Sequence, residues 1–303
     1  MSKTPSKIWM NGKLVNWKSA KVHVLTHALH YGTAIFEGMR CYNTKNGPAV
    51  FRMDDHYRRM ISGAKAYRFE IDYSVEELKK ATVQVVRKNK IRECYLRPIC
   101  YAGYKGIGLD ISDAPFEFAI VPFFMGKFFG KKAQTGLSCE ISSWKRINTS
   151  ILSPHVKASA NYLNSALAKL EAKNAGYDEA IMLSEESRVS EASSENIFVV
   201  KKGKLYTPPL ADGVLAGVTR DSIMEMATEA GYQVREESLL RDDLYTADEI
   251  FLCGTAAEIT AVKSIDKRQI TNGAGPITKE LKEMFENITS GKDKRFEKWL
   301  NYV

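Results

Sequence analysis

The chain has 303 residues, of which 44% are hydrophobic and 26% are charged. This length is sufficient for two domains with separate cores, and the composition excludes a mostly disordered protein. No apolar stretch approaches the roughly 18 residues that a membrane-spanning helix needs, and no apolar leader follows the first charged residues. The sequence therefore predicts a cytoplasmic protein.

The formal net charge of +8 raises nucleic acid as a partner. Basic and acidic residues are interleaved along the whole chain, and the densest basic clusters, such as those at 131–132 and 201–204, are short and belong to no nucleic-acid motif. We therefore expect no nucleic-acid partner. A mildly positive surface is better suited to attracting small anionic substrates.

The cysteine and histidine patterns favour structural roles. The five cysteines are odd in number, widely spread and without C-x-x-C spacing, which predicts buried, reduced thiols rather than disulfides or a zinc site. The spacing of His23, His27 and His30 suggests a metal site, but no carboxylate or cysteine ligands lie at suitable intervals. We expect no bound metal.

Residues 1–122 alternate strand and helix signals and predict a small α+β domain. The Asn-Gly pair at 11–12 predicts a type I′ hairpin, and the two aspartates at 54–55 predict the cap of a helix that ends near residue 67. Ser74 and Glu77 have the spacing of a capping box for a second helix. Further strands are predicted at 34–42, 49–53, 94–101 and 116–124.

The glycine-flanked segment 123–135 predicts an interdomain loop or lid, and residues 136–303 predict a larger second domain. Its first helix, at 160–175, has an apolar stripe that we expect to face the core. A later helix is predicted from Thr219, as its cap, to Gly231. The stripe consists of Leu163, Ala166, Leu167 and Leu170, and strands are predicted at 137–144, 179–183, 196–200 and 204–207.

The most informative residue is Lys157, which directly precedes the 160–175 helix among small and apolar residues. Taken alone, a lysine at a helix start is ordinarily a solvated surface charge. A partly buried lysine, however, loses its proton readily, and its neutral amine forms a Schiff base with a carbonyl group. Lys157 is therefore a candidate anchor for an aldehyde cofactor.

A pyridine-aldehyde phosphate would need a carboxylate against its ring nitrogen, because the ring withdraws electrons well only when that nitrogen is protonated. Glu191, in a stretch of small residues, is the candidate. The alternative is an exposed glutamate on a polar hairpin.

The phosphate of such a cofactor would need oriented N–H donors and a cation. Gly217, Val218 and Thr219 form a helix start that can supply the donors, and the turn at 255–256 is a second candidate. Arg59 can supply the cation, although an arginine on a helix is more often a surface ion-pair partner.

The sequence contains these candidate residues in a characteristic order and also two further motifs, the Phe36-Glu37-Gly38 segment and Tyr95-x-Arg97-Pro98. On this set the chain resembles the fold type IV pyridoxal-phosphate enzymes, and among them the branched-chain-amino-acid aminotransferases of the class IV aminotransferase family. The resemblance covers nearly the whole chain. It implies an α+β fold with a smaller N-terminal α/β domain and a larger C-terminal α/β pseudo-barrel domain.

The resemblance further implies pyridoxal 5′-phosphate as cofactor and ping-pong transfer of the amino group of L-leucine, L-isoleucine or L-valine to 2-oxoglutarate, giving a branched-chain 2-oxo acid and L-glutamate. Lys157 would be the catalytic residue. Cofactor-binding roles are implied for Arg59, Lys157, Tyr162, Glu191, Gly217, Val218, Thr219 and Thr255. Substrate-binding roles are implied for Tyr31, Phe36, Tyr95, Arg97, Leu109, Phe128, Thr255 and Ala256.

The same resemblance implies that Tyr31 and Leu109 come partly from a neighbouring subunit, so a homodimer would be the smallest active unit and a hexamer the larger alternative. Phe128 replaces a tyrosine found in the lid of relatives, which leaves the acceptor range open. A D-amino-acid transaminase, an aminodeoxychorismate lyase and a non-catalytic binding module are the competing interpretations.

Overall fold

The computed structural model describes residues 4–126 and 128–303. Within them, the chain forms two compact units. The first unit contains residues up to 125 together with 156–160 and 288–303, and the second unit contains the described residues of 126–155 and 161–287.

Both units combine strands and helices. The strands are β1 (Lys7–Met10), β2 (Lys13–Asn16), β3 (Ala34–Phe36), β4 (Met39–Thr44), β5 (Gly47–Phe51), β6 (Cys94–Ala102), β7 (Phe116–Phe123), β8 (Leu137–Ile141), β9 (Glu179–Leu183), β10 (Val189–Ala192), β11 (Asn196–Lys201), β12 (Lys204–Thr207), β13 (Val234–Glu236), β14 (Glu249–Gly254), β15 (Glu258–Ile265), β16 (Arg268–Gln269) and β17 (Leu300–Tyr302). The helices are α1 (His27–Tyr31), α2 (Met53–Ala66), α3 (Val75–Lys88), α4 (Lys132–Thr135), α5 (Asn161–Asn174), α6 (Val218–Glu229), α7 (Arg241–Tyr245) and α8 (Pro276–Thr289). Short 3₁₀ turns occur at Trp17–Ser19, Leu210–Asp212 and Lys294–Trp299.

The first unit is built on an antiparallel sheet with strand order β17-β5-β4-β6-β7-β1-β2, and β3 pairs with the far end of β6. The side chains of α2, α3 and the sheet share one apolar core, which includes Tyr57, Leu78 and Leu96. The predicted hairpin between β1 and β2 is confirmed, because Asn11 and Gly12 have φ angles of 47° and 85°.

Two segments lie in the first unit although the predicted division assigned them to the second domain. The segment 156–160 hydrogen-bonds with β3: the Phe36 amide donates to the Lys157 carbonyl (3.0 Å) and the Ser159 amide donates to the Ala34 carbonyl (2.8 Å). The C-terminal strand β17 pairs with β5. Backbone pairing between residues far apart in sequence therefore decides the membership of both segments.

The predicted strand at 34–42 is wrong in one respect, because it is two strands. β3 and β4 pair with different parts of β6, and Glu37 and Gly38 form the break between them. The cap of α2 also differs, since the cap position is Arg52 in a left-handed conformation and the aspartates lie inside the first turn. The capping box of α3 is confirmed, with Glu77 donating its amide to the Ser74 hydroxyl.

The second unit contains a nine-stranded mixed sheet, in which eight strands have the order β10-β9-β8-β15-β14-β11-β12-β13 and the ninth, β16, pairs with β15. β8 pairs in parallel with both β9 and β15, and β12 with β13. Its core includes Leu137, Ile181, Ile197, Leu252 and Val262.

The predicted apolar stripe of α5 is wrong. Leu163 and Leu170 are 67% and 52% exposed, whereas Ala168 and Ala172 are fully buried in one cluster with residues of β9. Small side chains allow the helix backbone to approach the sheet closely, so the face that packs on the sheet is the one with alanine rather than leucine.

The five cysteines are free and buried, as the sequence predicted. His27 has a structural role, because its ring nitrogens bond to the Thr33 hydroxyl (2.8 Å) and the Gly108 carbonyl (2.7 Å). Among the described helices, none has the length and apolar character required to span a bilayer. Within the same residues, no three His, Cys, Asp or Glu side chains form a group that could hold a metal ion.

Candidate active site

Lys157 lies on the short extended segment that pairs with β3 in the first unit. Its side chain is half-buried, and its Nζ lies 5.3 Å from the centroid of the Phe36 ring. The backbone bonds to β3 fix the direction from which the side chain leaves the main chain. An amine that is anchored in this way, beside an aromatic face, is suited to nucleophilic attack on a carbonyl group.

Phe36 is also in contact with Arg97, which belongs to β6. The guanidinium carbon of Arg97 lies 4.6 Å from the centre of the Phe36 ring and 5.5 Å from that of Tyr95. Its Nη2 is 3.5 Å from the Tyr95 hydroxyl. Its Nε is buried and has no hydrogen-bond partner among the described residues. At such a site the aromatic ring can contact an apolar group, and the guanidinium can donate hydrogen bonds to a carboxylate.

Gly38 makes room for Tyr95. A Cβ atom at residue 38 would overlap the Tyr95 hydroxyl, which occupies the space beside the glycine backbone. The Tyr95 ring itself is buried and packs against Phe123, with 4.9 Å between the ring centroids. Any larger residue at 38 would therefore displace the tyrosine hydroxyl.

Arg59, on α2, forms a bidentate ion pair with Glu37. Its Nε and Nη2 donate to the two carboxylate oxygens at 2.7 and 2.8 Å. The Glu37 carboxylate is completely buried and also accepts a hydrogen bond from His56 Nδ1 at 2.7 Å. Burial acts to raise the pKa of Glu37, but the charges of Arg59 and His56 outweigh it and hold that pKa well below its usual range.

In the second unit, Glu191 is buried on β10, and its carboxylate accepts hydrogen bonds from polar groups around it. Arg146 Nη2 lies 2.8 Å from one carboxylate oxygen. The other oxygen accepts from Asn196 Nδ2 at 3.0 Å and from the Leu215 amide at 3.1 Å. The alternative of an exposed hairpin glutamate is therefore wrong. Arg146 was not found from the sequence, since it lies 45 positions before Glu191 on an irregular segment without a motif.

The start of α6 lies beside the same cluster. Gly217 is the cap position, and a Cβ there would overlap the Asn196 side-chain oxygen. Within the part of the chain that the structure describes, no side chain caps this helix. The predicted capping role of Thr219 is therefore wrong, since this residue lies buried in the first turn. A helix start without a side-chain cap directs amide donors and the positive end of the helix dipole outwards, which favours a phosphate.

The remaining predicted residues of the second unit lie at three places. Thr255 and Ala256 are half-buried in the turn between β14 and β15, and Tyr162 is half-buried at the second position of α5. Phe128 is 45% exposed and packs edge-on against Phe129, with 4.8 Å between centroids.

Two predicted substrate residues of the first unit, Tyr31 and Leu109, are not among the Phe36 contacts described above. Tyr31 ends α1 and packs against the His27 ring, with 4.5 Å between centroids. Leu109 is 80% exposed. Substrate-binding roles for both residues stay predictions.

The model of the amino-transferase class IV family matches residues 34–265 of this chain. The chain therefore belongs to the class IV aminotransferases. This confirms the family that the sequence motifs indicated.

Individual relatives are similar over their full length. The branched-chain-amino-acid aminotransferase of Escherichia coli (strain K12) is 42% identical over 305 residues, which cover 100% of this chain and 99% of the relative. The crystal structure of the Escherichia coli branched-chain amino acid aminotransferase superposes with a TM-score of 0.96, covering 98% of this chain and 99% of the other at 42% identity. The branched-chain amino acid aminotransferase from Thermobaculum terrenum, in its PLP-form, superposes with a TM-score of 0.92 at 37% identity, covering 98% of each chain. The predicted fold class is confirmed.

The residues present fit pyridoxal phosphate. The first unit offers an amine and an arginine, which match the aldehyde and the phosphate of this cofactor. The second unit offers a buried carboxylate for the ring nitrogen, and a helix start whose glycine leaves no room for a side chain. The donor set therefore has the composition that the cofactor requires.

Proposed function

We propose that this protein is a pyridoxal-phosphate-dependent transaminase that transfers the amino group of L-leucine, L-isoleucine or L-valine to 2-oxoglutarate. The products are a branched-chain 2-oxo acid and L-glutamate. The observation that carries the proposal is the position of Arg97 on the Phe36 ring. An aromatic face suits a branched aliphatic side chain, and the guanidinium suits the side-chain carboxylate of glutamate.

The bound cofactor supplies an electron sink for the electron pair that remains at Cα when the substrate loses its proton. Lys157 would hold the cofactor aldehyde through its Nζ, and as a free amine it would be the base that takes the proton from the substrate Cα and gives it back. Glu191 would accept a hydrogen bond from the N–H of the ring, and Tyr162 would bind the phenolic oxygen. The phosphate is bound by Arg59, Gly217, Val218, Thr219 and Thr255.

Substrate recognition involves both polar and apolar groups. The α-carboxylate is bound by Tyr95 and by the backbone at Thr255 and Ala256. Phe36 and Tyr31 form the apolar side-chain pocket, and Arg97 binds the second carboxylate of glutamate. Leu109 and Phe128 complete the substrate site.

The active assembly is a homodimer or a larger oligomer located in the cytoplasm. Exposed apolar side chains of the first unit support this assembly, since Val24 is 71% and Leu109 80% exposed. Sedimentation velocity tests it. A single monomeric species at micromolar concentration would contradict it.

The half-reaction tests the proposed chemistry. L-Leucine is added without an acceptor to cofactor-loaded protein while the visible absorbance of the bound cofactor is recorded, and D-alanine is added to a parallel sample. L-Leucine alone is expected to bleach the band. Bleaching by D-alanine alone would assign the chain to a D-amino-acid transaminase. A protein that acquires no visible band from the cofactor would contradict the role of Lys157.

A further inference from the structure

The last residue of β3 and the two residues that separate β3 from β4 contact several of the proposed site residues. Phe36 contacts Lys157 and Arg97, while Gly38 leaves the space that the Tyr95 hydroxyl occupies. Glu37, between them, is directed into the interior of the first unit, where it contacts Arg59. The tripeptide 36–38 thus contacts or makes room for several proposed site residues.

We propose that Glu37 is a positioning residue for Arg59 and sets the protein's affinity for the cofactor phosphate. This inference rests on the proposed function, which assigns Arg59 to that phosphate. Glu37 itself does not contact the phosphate. It acts by holding the guanidinium in one orientation.

The geometry of the ion pair supports this role. Two parallel bonds of 2.7 and 2.8 Å, from Nε and Nη2 to the two carboxylate oxygens, fix both the plane and the rotation of the guanidinium. The Arg59 side chain is 15% exposed, whereas Glu37 is fully buried. The pair therefore has a rigid inner end and a partly accessible outer end.

His56 is a second hydrogen-bond donor to the Glu37 carboxylate. A carboxylate can only accept, so the proton of the 2.7 Å bond belongs to His56 Nδ1. Burial lowers the pKa of His56, and the attraction of Glu37 does not offset this effect. His56 donates to one carboxylate oxygen only, whereas Arg59 donates to both. The Gly38 amide, 3.2 Å away, is a further donor to the same oxygen.

A purely structural role is the competing explanation, because the same contacts connect α2 to the β3–β4 junction. The two roles differ in one measurable quantity. A positioning role changes the affinity for pyridoxal 5′-phosphate but not for pyridoxal, which lacks the phosphate. A structural role changes both affinities together.

The test measures the dissociation constants of both compounds by titrating the apoprotein and following its fluorescence. Glu37→Gln keeps the size of the side chain and removes its charge. We expect the preference for the phosphorylated compound, taken as the ratio of the two constants, to fall by roughly 10-fold in this variant. Glu93→Gln is the matched control, because Glu93 pairs with Arg40 at 3.0 Å in the same unit and is 51% exposed. The control should leave the ratio unchanged.

Arg59→Met separates the inference from the proposed function. If Arg59→Met retains the preference for the phosphorylated compound, Arg59 does not bind the phosphate. Both the inference and the proposed role of Arg59 are then overturned. If Arg59→Met loses the preference but Glu37→Gln keeps it, only the inference is overturned.

The double variant Glu37→Gln/Arg59→Met covers the case in which a stranded buried arginine prevents Glu37→Gln from folding, since it removes both charges. A ratio equal to that of Arg59→Met supports the inference. A further decrease would show that Glu37 acts independently of Arg59 and would overturn it.

Discussion

Arg146 and Glu191 form a buried ion pair in the second unit, with 2.8 Å between Nη2 and Oε1 and less than a tenth of either side chain exposed. Asn196 and the Leu215 amide also donate to this carboxylate. A buried carboxylate stays charged only when such partners compensate for its desolvation. The pair therefore compensates for the desolvation of the Glu191 carboxylate and holds it in place, as its proposed role at the ring nitrogen requires.

Replacement of Arg146 by methionine should remove the cation that pairs with this carboxylate. We expect the free energy of unfolding to fall by about 3 kcal/mol and kcat by more than tenfold. Urea unfolding and steady-state kinetics measure the two effects. Lys201→Met is the control, because Lys201 pairs with Asp243 at 2.8 Å but is partly exposed, and its loss should cost less than about 1 kcal/mol. A kcat within twofold of the original would contradict the role of Arg146.

Arg97→Met should affect the substrates with a side-chain carboxylate, L-glutamate and 2-oxoglutarate, more than the branched-chain substrates. Methionine keeps an apolar contact with Phe36 and removes the cation, so KM for 2-oxoglutarate should rise at least about tenfold. The half-reaction with L-leucine should change little. Single-turnover rates with L-leucine and with L-glutamate measure this difference. An equal loss with both amino acids would show that Arg97 does not distinguish the side-chain carboxylate.

Gly38→Ala should displace the Tyr95 hydroxyl, because the new Cβ would overlap it. We expect a destabilisation of about 1–3 kcal/mol and weaker binding of all amino-acid substrates. Tyr95→Phe removes the oxygen that clashes, so the double variant should recover part of the stability. Thermal unfolding of the single and double variants measures the coupling. A strictly additive result would contradict the predicted overlap.

Glu195 should make stability depend on pH. Burial, followed by the charge of Glu179, raises the pKa of Glu195 to about 8. The folded state then binds one more proton than the unfolded state between about pH 4.5 and 8, so the free energy of unfolding decreases as pH rises through this window and levels off above it. Glu195→Gln mimics the protonated form and should gain stability relative to the original chain from pH 6 to pH 9. Urea unfolding of both chains at pH 6 and pH 9 tests this prediction. An equal change in the free energy of unfolding between the two pH values for both chains would contradict it.

Local signals in the sequence were sufficient for many elements. The Asn-Gly hairpin and the Ser74 capping box depend on residues within a few positions of each other, so the sequence alone predicts them correctly. The stripe of α5 was misread because Ala168 and Ala172 pack closely on β9 while Leu163 is exposed. Hydrophobicity cannot distinguish a packed helix face from an exposed apolar one.

Pairs of charged residues were harder to predict. Lys157 and Glu191 were found because each has a recognisable segment around it. Arg146 and the partnership of Glu37 with Arg59 were not, since those contacts join residues that are 45 and 22 positions apart and leave no periodic pattern. Only the tertiary structure brings such partners together.

The most direct test of the proposed transamination uses NMR to detect transfer of nitrogen from L-[15N]leucine to 2-oxoglutarate. Lys157→Ala is the matched control. The account predicts one labelled glutamate for each leucine consumed by the original chain and none by the variant. Absence of labelled glutamate with the cofactor-loaded original chain, or equal labelling by Lys157→Ala, would contradict it.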